Sequence, residues 1–143
     1  MYELVRKQNI AVKIVAAIVI MFAITQTIRS FTKHPKLNIH DELIITANEI
    51  NKHTPVIIDS MTTLVNVNAL LGNVFQYNYS LKAGKAVIDT TALKQGVKAS
   101  LLQQLQTNTK AAYFKEHSIE VRANYVDETG LPICEIVVLP NEY

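Results

Sequence analysis

The sequence is poor in the residues that build covalent crosslinks and tight catalytic loops. It has one cysteine, Cys134, four glycines and no tryptophan in 143 residues. One cysteine cannot form an intramolecular disulfide. With so few glycines a phosphate-cradling loop is not expected, and no G-x-S-x-G, Walker or G-x-G-x-x-G motif occurs. These absences argue against nucleotide-dependent enzymes and hydrolases with a nucleophile elbow.

An excess of positive charge is also missing from most of the chain. Residues 31–143 carry ten Lys/Arg and eleven Asp/Glu, a net charge of −1, whereas residues 1–30 carry four Lys/Arg and one Glu, a net charge of +3. Recognition of nucleic acid needs clustered Lys and Arg. The sequence therefore predicts no nucleic-acid partner, and no small-molecule ligand is evident.

Groups of residues with the spacing of metal ligands are absent as well. Glu49 and His53 form only an i,i+4 helix pair, and no His/Cys/Asp/Glu cluster has the spacing of a zinc site. Ile133 and Ile136 lie near Cys134 in a predicted strand, which favours a buried, unreactive thiol over a nucleophile. We accordingly predict no catalytic residue, no metal and no cofactor.

One long apolar stretch is present, and it dominates the start of the chain. Residues 10–28 would span roughly 28 Å as a helix, close to the thickness of a bilayer core. This predicts a single-pass membrane anchor over residues 1–30, followed by a tether over residues 31–37. The side chains predicted to contact lipid are Ile14, Val15, Ile18, Val19, Ile20, Met21, Phe22 and Ile24.

Two other interpretations of the apolar stretch stay open. Its uninterrupted part, residues 14–24, is short enough for a buried helix of a soluble protein. A cleaved signal peptide is disfavoured because no pair of small residues follows the run. Three basic residues flank the stretch on each side, so the positive-inside rule leaves its orientation tied. The simplest topology places residues 38–143 outside the cytoplasm, in the periplasm or on the cell surface.

The pattern after the tether predicts an α+β domain. Apolar residues recur at helical spacing over residues 39–53 and again from Thr90 or Thr91 to about residue 116. Residues rich in β-branched or alternating side chains predict strands over 56–69, 75–81, 119–125 and 131–139. The expected order is helix-strand-strand-helix-strand-strand, with an antiparallel sheet and both helices on one face.

Two local features point to candidate sites. Leu70 and Leu71 lie at a predicted hairpin tip, where apolar side chains are unusual, so they are candidates for contact with a partner. Folding back onto the sheet edge is the alternative. Asp59 lies among apolar residues of a predicted strand, which suggests either a backbone cap at a bulge or a functional acid.

A resemblance adds to this interpretation. It is carried by residues 47–52, by Pro55, by residues 59–60, by Leu64, by residues 77–79 and by the hairpin around Gly130. Over about residues 40–140 the chain resembles small exported or membrane-anchored bacterial proteins of unassigned function. The resemblance implies an α+β fold and a cell-envelope address. Members often carry a cysteine near the end of the second helix and another after the last strand, and this chain has neither, so the resemblance implies no disulfide here.

Together these features predict a protein that acts by interaction and not by catalysis. The first hypothesis is a membrane-anchored protein that presents a small α+β domain to a protein partner, for example as an accessory subunit of a membrane complex. The first alternative is a small envelope hydrolase with a site near Asp59. The second is a pilin-like filament subunit, although the first nine residues lack the processing signature of pilins.

Overall fold

A computed structural model describes residues 37–143 of the chain. In this range the secondary structure consists of helices α1 (Ile39–Asn51), α2 (Thr90–Thr107) and α3 (Ala112–Glu116), and strands β1 (Val56–Ile57), β2 (Thr62–Leu70), β3 (Val74–Leu81), β4 (Glu120–Asp127) and β5 (Pro132–Val138). Short 3-10 turns cover Lys85–Val87, Thr109–Ala111 and Pro140–Glu142.

The two long helices begin at side-chain caps. Asn38 precedes α1, and its Oδ1 accepts a hydrogen bond from the Asp41 amide at 2.9 Å. Asp89 precedes α2 and accepts from the amides of Thr91 and Ala92 at 3.1 and 3.0 Å. Such caps satisfy amides that have no partner within the helix. The sequence signal for both helix starts is thus local.

The sheet has the strand order β1-β2-β3-β4-β5, and its central pair is parallel. β2 and β3 form one antiparallel hairpin and β4 and β5 form another, but β3 pairs with β4 in parallel. The predicted antiparallel sheet is therefore wrong, because α2 and α3 carry the chain back to the end of the sheet where β3 began. Parallel neighbours require such a crossover.

Two predicted elements are each divided in the structure. The strand expected over residues 56–69 is two strands, β1 and β2, separated by a turn in which Asp59 caps the chain, so the sheet has five strands instead of four in the described range. The second helix is interrupted at Asn108, which has an extended backbone. The short helix α3 follows it.

The predicted membrane anchor and most of the predicted tether lie outside the described residues, together with all of the proposed lipid-contacting side chains. Within residues 37–143 no helix is both long and apolar enough to cross a bilayer. The predicted fold class is accordingly corrected to a mixed five-stranded sheet with helices, without a transmembrane helix among the described elements.

The core cluster takes its β2, β3 and β4 side chains from one face of the sheet, the core face, and Val74, at the start of β3, is buried on the opposite face. The register places Leu64, Tyr79 and Tyr125 side by side, and the rings of the two tyrosines stack with their centroids 4.9 Å apart. α1 packs against β2 and α2 packs against β5 on the core face. The buried helix residues are Leu43, Ala47, Ile50, Leu93, Val97, Leu101 and Leu105. Both long helices thus cover one face, and the opposite face, here called the open face, is left without a covering layer.

Candidate partner-binding surface

The open face is polar and internally bonded at its centre. Asn66, Asn78 and Asn124 lie next to one another on β2, β3 and β4. Asn78 Nδ2 donates to Asn66 Oδ1 at 2.7 Å, and Asn124 Nδ2 donates to Asn78 Oδ1 at 3.2 Å. Gln76 Nε2 also donates to Asn78 Oδ1, at 2.9 Å. This row of amides gives the sheet a wet face, so an apolar partner would not bind at its centre.

Leu70 and Leu71 occupy the turn between β2 and β3. Leu70 is the last residue of β2, opposite Val74, and is half-buried. Leu71 is 85% exposed, the largest exposed fraction among the large apolar side chains of the described residues. Gly72 and Asn73 follow with φ of 84° and 59°, in the left-handed region that these two residue types adopt most readily. The structure thus points Leu71 away from the domain and keeps Leu70 partly covered.

A second exposed leucine lies at the same end of the molecule. The parallel pairing puts the start of β4 and the end of β5 at the end of the sheet that holds the β2–β3 turn, here called the turn end. Leu139 follows β5 there and is 43% exposed. The start of α1 also approaches this region, because the Tyr113 hydroxyl of α3 donates to the Glu42 carboxylate. The turn end therefore combines exposed apolar side chains with the entry of the chain into the domain.

Asp59 has a structural position in the turn between β1 and β2. Its Oδ1 accepts hydrogen bonds from the amides of Met61 and Thr62 at 2.7 and 2.8 Å. This is the capping role that the sequence offered as one alternative. Its Oδ2 is buried and has no hydrogen-bond partner among the described residues. No nucleophile is bonded to this carboxylate, so the structure brings together no acid-base pair around Asp59 within the described range.

The tyrosines of the sheet belong to the core. Tyr77, Tyr79 and Tyr125 are buried under the helices, and burial raises the pKa of each hydroxyl well above its ordinary value. The ring of Phe75 meets that of Tyr77 edge to face at 5.3 Å. These rings pack against one another and do not form an exposed binding platform.

Cys134 and the histidines supply no metal site in the part of the chain that the structure describes. No group of three or more His, Cys, Asp or Glu side chains there could hold a metal ion. Cys134 is partly buried, and burial raises the pKa of its thiol, while the charges of Lys94 and Lys85 act in the opposite direction. A thiol with a raised pKa is a weak nucleophile.

Two features of the domain were not predicted from the sequence. The first is the bonding within the amide row. Gln76, Asn78 and Asn124 alternate with core residues and so mark a polar face, whereas Asn66 follows the exposed Val65 at a bulge in β2, where alternation fails. The second is Asn51, whose Oδ1 accepts from the Val67 amide and whose Nδ2 donates to the Val67 carbonyl, both at 2.8 Å. No local sequence signal marks Asn51, since its partner is sixteen residues away.

Comparison with known proteins identifies solved structures that share the fold. No protein-family profile and no curated protein matches the chain. Among solved structures, a candidate secreted protein from Pseudomonas aeruginosa superposes with a TM-score of 0.55 at 14% identity, over 76% of this chain and 98% of that chain. The pilotin EpsS of the Vibrio vulnificus type 2 secretion system gives 0.56 at 9% identity, over 73% and 90% of the two chains.

A second pilotin, AspS of the type II secretion system of Vibrio cholerae, superposes with a TM-score of 0.53 at 12% identity, over 74% of this chain and 93% of that chain. The described domain thus corresponds to nearly the whole of each of these small proteins. At such low identity the likeness shows a shared fold. It agrees, at the level of fold, with the resemblance to small exported bacterial proteins.

Proposed function

We propose that this chain is a non-enzymatic accessory protein of the bacterial cell envelope that binds a protein partner within a secretion-type membrane complex. Two of the proteins that share its fold are described as pilotins of a secretion system and a third as a candidate secreted protein. An extracytoplasmic location follows for this chain as part of the same proposal.

The exposure of Leu71 is the observation that carries the binding part of this proposal. An apolar side chain that is 85% exposed gains nothing from water, whereas burial against a partner would remove most of its area from solvent. Leu139 at the same end extends the apolar surface. We propose that the partner contacts the turn end through Leu71, with Leu70 supporting the turn from below.

The described side chains also favour binding over catalysis. Asp59 is engaged in capping its own turn, and the buried tyrosines have raised pKa values that keep them neutral. A hydrolase would need a nucleophile and a base within hydrogen-bond reach, and the described residues hold no such pair at Asp59.

A matched pair of variants tests this proposal. Leu71→Ser removes the apolar contact at the turn end, and Ile57→Ser removes a side chain of similar exposure, 76%, on β1 near the opposite end of the sheet. We expect Leu71→Ser to reduce partner retention on affinity capture from envelope extracts by roughly tenfold. Ile57→Ser should retain the partner like the parent protein.

Site-specific crosslinking identifies the partner in the same cells. A photoreactive amino acid at position 71 should give one dominant adduct, to be identified by mass spectrometry, and the same amino acid at position 57 should not. Both substitutions lie at exposed positions, so the urea midpoint should stay unchanged for each. Equal partner retention by both serine variants, or an adduct from position 57 alone, would refute the turn end as the contact.

A further inference from the structure

The two edges of the sheet differ in whether their backbone groups are satisfied. At the β1–β2 edge, β1 covers the start of β2, and the Asn51 side chain binds both the amide and the carbonyl of Val67. A side-chain amide that accepts from one backbone group and donates to the other reproduces the bonds that a neighbouring strand would make. The protein itself thus occupies this edge opposite β1 and at Val67, and it is here called the closed edge.

The register shows which backbone groups of β5 point outward. The amide and carbonyl of Val67 point away from β3, so those of its partner Tyr77, and of every second residue along β3, point toward β4. The hydrogen bond from the Glu120 amide to the Asn73 carbonyl, 3.0 Å, agrees with this alternation. In the next strand pair the same alternation directs the amides and carbonyls of Val138 and Ile136 toward β4. The amides and carbonyls of Glu135 and Val137 therefore point away from the sheet.

No group in the described residues bonds these outward amides and carbonyls. The open stretch is limited at both ends, since Pro132 has no amide hydrogen and the Leu139 amide is capped by Glu142 Oε2 at 2.7 Å. Between these limits β5 presents the donor and acceptor pattern to which an extended strand pairs.

The surroundings of this edge carry unpaired positive charge. α2 packs against β5 on the core face, and Lys94 of α2 and Lys85 of the preceding turn lie close enough to Cys134 of β5 to affect its ionisation. Both lysines are exposed, and neither forms an ion pair with a described residue. Leu131, next to the start of β5, is 64% exposed. The helix side of the edge thus carries cationic groups, whereas the Glu135 carboxylate of β5 lies on the open face beside Arg122.

We propose that the outer edge of β5 binds an extended peptide segment of a partner protein by strand addition, with acidic side chains of that segment directed toward Lys85 and Lys94. Backbone pairing with Glu135 and Val137 supplies the hydrogen bonds, and alternate side chains of the added strand fall on the helix side, where the lysines lie. This site is separate from the turn end, and it does not depend on the envelope assignment.

The test uses the full chain labelled with ¹⁵N and two blocked seven-residue peptides. One peptide alternates Val with Asp, and the other alternates Val with Lys. We expect the Asp peptide to shift the amide resonances of Glu135 and Val137 saturably, and the Lys peptide to bind at least about tenfold more weakly. N-methylation of alternate residues of the Asp peptide, on the side that faces β5, should abolish the shifts without any change in the protein.

Protein variants separate the backbone and charge contributions. Glu135→Pro removes an outward amide that the sheet does not use, so it should prevent binding while the β4–β5 pairing persists. Lys94→Glu combined with Lys85→Glu should weaken the Asp peptide by roughly tenfold, whereas Lys52→Glu, at an exposed lysine near the closed edge, should not.

The proposal is overturned by any of four results, of which the first three concern the peptides. These are the absence of saturable shifts with the Asp peptide, equal binding of the N-methylated peptide, and shifts confined to the amide row of the open face. Shifts of Glu135 and Val137 that grow with protein concentration alone would also overturn it, because they would assign the edge to a second copy of the chain.

Discussion

Individual side chains of this domain bond to backbone groups far away in the sequence. Asn51 is the main example, because it pairs with the Val67 backbone from the end of α1. Tyr143 is another, since its buried hydroxyl donates to the carbonyl of Ile119 and lies 3.3 Å from the Phe114 carbonyl. Neither contact could be predicted from the sequence, because each depends on which strands become neighbours.

Removal of the Asn51 amide should be costly for its size. Asn51→Ala leaves the amide and carbonyl of Val67 without partners at a partly buried position, so we expect a loss of about 1–3 kcal/mol of unfolding free energy. Asn68→Ala is the matched control, since Asn68 is an exposed asparagine of β2, next to Val67. Urea unfolding monitored by circular dichroism measures both. Equal midpoints for the two variants would show that the Asn51 bonds contribute nothing.

The tyrosines make the domain sensitive to alkali. Burial raises the pKa of Tyr143 to about 12, and it also raises the pKa values of Tyr79 and Tyr125. A pKa that is higher in the folded state than the unfolded value of about 10 means that the unfolded chain loses protons first. The contribution of these tyrosines to stability should therefore be constant below a pH of about 10 and fall as pH rises toward 12.

Tyr143→Phe tests one part of this dependence. At pH 7 the variant should lose about 1 kcal/mol with its hydroxyl hydrogen bond. In alkaline solution its stability should fall less steeply than that of the parent chain, because one titrating group is gone. Urea midpoints measured from pH 7 to about 11.5 provide the comparison. A steeper alkaline fall in the variant would contradict the assignment.

At the scale of elements, local signals were sufficient for helices and hairpins. The cap at Asn38 and the alternation from Phe75 to Leu81 are properties of neighbouring residues, and α1 and β3 form where those residues predict them. α2 also begins near the expected position, but its cap is Asp89 and not Thr90 or Thr91. The turn at Asp59 was less visible, because apolar residues flank it on both sides. In sequence, a single strand that contains one acid cannot be told from two strands separated by a turn that contains one acid.

The apolar stripe of α2 consists of side chains that belong to the core. Leu101 is buried at the centre of that stripe, so Leu101→Ala should cost about 2–5 kcal/mol, the usual range for deletion of a large core side chain. Gln103→Ala, two residues on and exposed, should change stability by less than about 0.5 kcal/mol. A urea midpoint for Leu101→Ala close to that of Gln103→Ala would mean that α2 does not pack on β5 as described.

At the scale of the whole molecule, the parallel pairing of β3 with β4 could not be predicted from residue patterns. Two hairpins joined by helices can pair in either direction, and the faces of Phe75 and Val121 match in both cases. The crossover decides the direction, and with it the end of the molecule at which Leu71, Leu139 and the start of α1 meet. The sequence therefore predicted Leu70 and Leu71 as a candidate contact, but it could not predict that Leu139 and the start of α1 lie at the same end of the molecule.

One contiguous core suggests that residues 37–143 fold without the preceding residues. The core cluster draws on α1, α2, α3 and the strands β2 to β5, with no break between them. The isolated segment should unfold in a single transition in urea, with coincident changes in near- and far-ultraviolet circular dichroism. Transitions that separate, or loss of the near-ultraviolet signal at zero urea, would show that residues before Leu37 complete the fold.

The contrast between the two sheet edges limits how this protein can assemble. Growth of an endless ribbon by edge pairing needs two free edges on every molecule, and here Asn51 and β1 occupy one of them. An extended segment that joins β5 occupies the other edge, and two copies that meet through β5 form a pair whose two remaining edges are those that carry β1 and Asn51. Assembly of copies of this chain through β5 therefore stops at a pair and does not continue into a fibre.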